Sequence, residues 1–216
     1  MFDNNSLTEI DVIQPAKRNS PKFPAVEGIE FVKMEKKNTD TYKSVVFTFR
    51  DQKGAVLKDT VFEPRKTASQ TDEKFKKQMD LVHSHLGHIS RAYLSEEIHK
   101  SIKGTDWDSY VGAMARALQV NQQTGQPAVA AGVKADAKII FRETKGKYYS
   151  SFPAIPPFLS TPNHPKDFKV DPKYDLFEIP EIQPDREDNS GFNGAAPTAG
   201  LEPNSSTPST KEVIGW

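Results

Sequence analysis

The chain has 216 residues with no cysteine, which excludes disulfide staples, thiolate zinc sites and cysteine nucleophiles. Its 29 basic and 29 acidic residues cancel but are segregated: residues 171–216 hold nine acids against three bases, a net −6, leaving +6 in residues 1–170. A hydrophobic content of 36% and a mean hydropathy of −0.64 are low for a chain folded throughout, so one domain with disordered flanks is expected.

Residues 1–25, with Pro15, Pro21 and Pro24 among polar and basic residues, read as a flexible leader. A first strand of about seven residues starts at Val26, with Ile29 and Phe31 in alternation. Lys36, Lys37, Asn38, Thr39 and Asp40 then read as a polar connecting loop. From Tyr42 to Arg50, Val45, Phe47 and Phe49 fall on one face and Ser44, Val46, Thr48 and Arg50 on the other. Asp51, Gln52, Lys53 and Gly54 form a hairpin turn, and a third strand returns from Ala55 to Phe62 before Pro64 stops it.

The period then becomes helical. Phe75, Met79, Val82, Leu86, Ile89 and Tyr93 are spaced 4, 3, 4, 3, 4, one face of a helix with Asp72 as the expected N-cap. A second helix is expected from Asp106 or Asp108 to Leu118, and residues 121–132 read as a loop. A strand over residues 135–141, a hairpin loop over 143–147 and a last strand over 148–152 follow. Pro153, Pro156, Pro157, Pro162 and Pro165 argue for an extended covering segment and against further strands. The fold class expected is α+β, mainly β: a five-stranded OB-like barrel with a helical insertion between strands 3 and 4, over residues 26–170. Residues 171–216 are expected to be a disordered acidic tail.

No phosphate-binding glycine loop, metalloprotease helix or nucleophile elbow is present, so the chain is read as non-catalytic and without a cofactor. His83, His85 and His88 crowd one helix, and His85 and His88 share a face. No further paired ligand accompanies them, and they read as a solvated flank, with no metal site. Cations interleaved with aromatics give the stronger pattern: Lys33, Tyr42, Lys43, Arg50, Lys58, Lys138 and Arg142 on strands, and Lys36, Lys37, Lys145 and Lys147 in loops, followed by Tyr148 and Tyr149. Single-stranded nucleic acid requires this mixture, with cations along phosphates and rings under bases. The loops joining strands 1–2 and 4–5 of an OB barrel flank its groove, and both are lysine-rich here. Lys36, Lys37, Lys43, Arg50, Arg142, Lys145 and Lys147 are the expected phosphate contacts; Tyr42, Tyr148 and Tyr149 are the expected stacking residues. The acidic segment would compete with nucleic acid, while Ile214 and Trp216 form an apolar tip suited to docking in a partner.

The Glu27-Gly28-Ile29-Glu30-Phe31 opening resembles phage-type single-stranded DNA-binding proteins. So do the run from Tyr42 to Phe49 with its Gly54 turn, the Lys145-Gly146-Lys147-Tyr148 hairpin followed by Phe152-Pro153, and the acidic tail. The likeness spans about residues 26–188 of the chain. It implies an OB groove that takes single strands without sequence choice, in replication, recombination or repair, and a tail that contacts replication proteins. In that family the tail ends in acids beside a terminal aromatic; here only Glu212 is near Trp216. No apolar run approaches the ~20 residues of a membrane span, and the opening residues lack a secretion signal, so a cytoplasmic location is expected, the host's cytoplasm if the chain is viral.

Overall fold

In the computed structural model, which describes residues 12–179, three antiparallel strands form the expected meander: β1 (Ala25–Asn38), β2 (Lys43–Arg50) and β3 (Val56–Phe62). Val45, Phe47 and Phe49 are fully buried, as their alternation requires. The first strand is twice the expected length, because it serves two neighbours. Residues 25–30 pair with β4 (Lys134–Lys138) along one edge, and residues 30–38 pair with β2 along the other. The switch is made at register shifts on either side of Ile29, where Gly28 takes φ 68°, a conformation that side chains with a β-carbon rarely adopt. Lys36 and Lys37 therefore stand on a strand end, and the connecting loop shrinks to residues 39–42.

The strand expected over residues 135–141 is two strands, β4 and β5 (Ile140–Thr144), separated at Ile139. Lys138, Ile139 and Ile140 are buried in succession, so alternation fails while the chain crosses from the sheet to a separate hairpin. That hairpin pairs β5 with β6 (Lys147–Ser151). Between Pro157 and Pro162, where an extended segment without further strands is expected, β7 (Leu159–Ser160) pairs with β4. The main sheet thus has five antiparallel strands in the order β3-β2-β1-β4-β7, with β5-β6 apart from it. Strand pairing among the described residues does not close a barrel.

Helix α1 (Asp72–Tyr93) is capped by Thr71, whose hydroxyl accepts from Lys74 N at 3.4 Å, and not by Asp72. Asp72 falls in the first turn, where a carboxylate suits the helix dipole. Its buried side chains begin at His85; Phe75, Met79 and Val82 are only half-buried. The short α2 (Glu96–Ser101) buries no residue and left no apolar period to detect. In α3 (Trp107–Ala117), Asp106 and Ser109 form a reciprocal capping box. Val111 and Met114 of α3, with the following Leu118, enter the core fully buried. There Phe31 lies 5.3 Å from both Phe49 and Tyr93, and Phe49 lies 5.0 Å from Phe152. Each such ring removed from water contributes about 1.5–3 kcal/mol.

The folded region extends beyond residues 26–170 at both ends. Ile13 is buried and donates its N–H to Val56 O at 3.3 Å, so residues 12–24 pack on the fold although they read as leader. At the other end, the Asp175 carboxylate meets Lys138 Nζ at 2.5 Å, with both side chains buried. Phe141 N donates to Leu176 O, and Phe177 packs edge-on against Phe23. Residues 180–216, and with them Ile214 and Trp216, lie outside the described residues. Among the described residues, no helix is long and apolar enough to cross a membrane.

Candidate nucleic-acid interface

Antiparallel register builds the face of β1–β3 that points away from the helices. Lys37, Ser44 and Phe62 form one row, Glu35, Val46 and Thr60 the next, and Lys33, Thr48 and Lys58 the third; Arg50 and Val56 close it. Four cations thus share one sheet face with Thr48, Thr60 and Phe62. Two acids offset them in part, since Glu35 meets Lys33 at 3.0 Å and Glu30 meets Arg50 at 3.8 Å. Lys37 and Lys58 form no ion pair among the described residues.

At one end of this face Tyr42 and Phe62 are 44% and 52% exposed, with ring centroids 5.5 Å apart and planes at 73°. Two large rings left half in water, beside unpaired lysines, offer apolar surface to a flat ligand. Phe62 was missed because an aromatic at the end of a strand reads as core. The signal is its phase: Leu57, Asp59 and Val61 alternate inward, so Phe62 must point out.

The expected residues do not form one cluster. Lys36 and Lys43 take the opposite phase to Lys37 and reach α3 from the strand ends. Lys36 Nζ donates to Asp108 O at 3.5 Å, and Lys43 Nζ binds the Asp108 carboxylate. That hydrogen bond raises the Lys43 pKa and lowers that of Asp108, so each charged form is stabilised by the other. Lys43 and Arg50 sit at opposite ends of β2, roughly 23 Å apart at ~3.3 Å per residue.

The hairpin holds the third group. Lys145 at φ 52° and Gly146 at φ 73° make the turn, which exposes Lys145 and Lys147. Arg142 is tied back, donating to Phe152 O at 2.9 Å. Tyr149 is 53% exposed and Tyr148 half-buried; both border a depression of about 520 Å³ with Val12, Val56, Lys58 and Ile179. Lys58 belongs to both this depression and the sheet face, which makes the two surfaces continuous. Lys138 is removed from any interface by its buried pairing with Asp175.

Two histidines expected on a solvated flank are instead buried. His85 Nε2 bonds Asp59 Oδ2 at 2.7 Å, joining α1 to β3. His88 Nε2 accepts from Phe158 N at 3.1 Å and Leu159 N at 3.0 Å and so holds β7 in place. Desolvation lowers the His88 pKa to about 4, keeping the ring neutral, as an accepting nitrogen must be. His83 stays exposed, its ring 5.3 Å from that of Tyr110. Among the described residues, no three His, Asp or Glu side chains converge as a metal site would require.

Compared with known proteins, the chain matches no family model and no curated sequence.

Proposed function

We propose that this chain is a non-catalytic, sequence-independent single-stranded DNA-binding protein acting in replication, recombination or repair. The observation that carries the reading is the sheet face where Lys33, Lys37, Arg50 and Lys58 alternate with hydroxyls beside the exposed Tyr42–Phe62 pair. Cations at strand spacing follow a phosphate backbone, and exposed rings stack bases without reading sequence. Lys145, Lys147, Tyr148 and Tyr149 extend the path across Lys58 onto the hairpin. The reading is of phage type, in the host cytoplasm, on the strength of the resemblance in sequence.

An OB-type barrel suits the topology. The bent β1 is shared by β2 and β4, β5 resumes the course of β4 after Ile139, and β6 lies against β3. In this reading the acidic residues of 180–216 compete with DNA for the basic face, and Ile214 and Trp216 recruit replication proteins.

A fluorescent ~30-mer of dT exceeds the ~4–16 nucleotides an OB fold covers. It would be titrated with the full chain and with a chain ending at Ile179. Binding at low salt that tightens on truncation is the expected result; no binding by either chain contradicts the proposal. One observation favours a second reading, a protein-interaction or virion structural module. Val12, Tyr149 and Ile179 are each about half exposed around one depression, at 48%, 53% and 48%. That module would bind no oligonucleotide.

A further inference from the structure

Asp108, Gly112 and Arg116 lie four residues apart along one face of α3, and the Lys36 side chain is laid against that face. The bare glycine makes room for it. A β-carbon at Gly112 would sit 3.5 Å from Lys36 Nζ and 3.6 Å from Arg116 Nη1, so the two cations stand at most about 7 Å apart over one point. Neither forms an ion pair with a carboxylate among the described residues. The two acids beside them each hold another lysine: Asp108 binds Lys43, and Glu35, which lines the same depression, meets Lys33 at 3.0 Å. Two like charges drawn together with no ion pair to either repel, and an anion offsets that cost.

The surroundings are built to receive one. Lys36, Gly112 and Arg116 border a depression of about 550 Å³ closed on its far side by residues 121–125. That wall is fixed: Asn121 Oδ1 accepts from Gln123 N at 2.8 Å and Thr124 N at 3.0 Å, and Gly125 O accepts from Met34 N at 2.9 Å. From these contacts we infer that Lys36 and Arg116, meeting over Gly112, form a subsite for a phosphate group. The guanidinium presents a planar fork to two phosphate oxygens, and the ammonium supplies a point charge to a third. The site lies between α3 and β1, at the edge of the sheet face assigned to the single strand, and Lys33 and Glu35 border both. It does not depend on that assignment, because the phosphate can be free or part of a polynucleotide.

The test is a titration of the full, 15N-labelled chain with inorganic phosphate at low ionic strength, read at the backbone amides. Saturable shifts are expected at Gly112 and Arg116, with affinity at least tenfold weaker in Lys36→Gln and in Arg116→Gln. Gly112→Ala is expected to melt higher, since it removes a helix-interior glycine, yet to bind phosphate more weakly because its methyl occupies the meeting point. Shifts that never saturate, or that are unchanged in both charge variants, overturn the inference. A second titration with dT 30-mer identifies the source: shifts at the same amides assign a backbone phosphodiester, and shifts confined to β1–β3 assign free phosphate. A chain that binds no dT would defeat the proposed function while leaving the phosphate titration to decide this site.

Discussion

Acid should unfasten β7 through a single side chain. His88 Nε2 accepts two backbone N–H groups, from Phe158 and Leu159, and only a neutral imidazole can do so. In the unfolded chain the ring takes a proton near pH 6.5, whereas in the fold its pKa is lowered to about 4, first by desolvation and then by His164 and His85. Between those values the unfolded state binds more protons, so stability falls as the pH falls through that window. The drop from near 6.5 to about 4 corresponds to about 3 kcal/mol of stability present above pH 6.5 and lost by pH 4. Urea denaturation of the wild type and of His88→Gln at pH 7.5, 5.5 and 4.5 separates this group from the others. Glutamine can still accept a hydrogen bond but does not titrate, so the stability gap between the two proteins should narrow with acid. Parallel pH profiles would refute the reasoning, and so would a wild type unaffected between pH 7.5 and 4.5.

The Lys138–Asp175 pair should behave as a buried ion pair. Asp175→Asn, which leaves the buried Lys138 cation only the Lys169 carbonyl, costs about 3–5 kcal/mol in urea unfolding, whereas Lys138→Met combined with Asp175→Leu recovers most of it. Replacing Tyr42 or Phe62 by alanine should weaken dT binding by about 1–3 kcal/mol each while lowering the melting temperature by only a few degrees, since both rings are already half exposed. Lys43→Gln should weaken dT binding less than Lys37→Gln, because Asp108 already holds the Lys43 ammonium; equal losses in a fluorescence titration would show that the pair opens on binding.

What the sequence conveyed was whatever depends on neighbours along the chain. Val45, Phe47 and Phe49 alternate and are buried, and Leu86, Ile89 and Tyr93 keep helical spacing into the core. Features set by distant partners were not legible. Residues 36–38 look like a polar loop, and only pairing with β2, down to Asn38 opposite Lys43, makes them strand. Lys138 resembles any strand lysine until Asp175, 37 positions later, folds over it. The two residues of β7 are too few for a period, and α2 has no buried face to produce one. The candidate interface was partly legible for the same reason. Its cations and tyrosines could be named, but β-strand phase sends Lys37 to the outer face and Lys36 to α3, so neighbours in sequence serve different surfaces.

The most direct test of single-strand binding is the slope of log K against log salt for the dT 30-mer. Neutralising about five phosphates predicts a slope near −3.5 for the wild type, and Lys37→Gln with Lys58→Gln should reduce it to about −2, at ~0.7 per phosphate contact. A flat wild-type dependence, or a slope unchanged by removing both lysines, would contradict a phosphate path across the face of β1–β3.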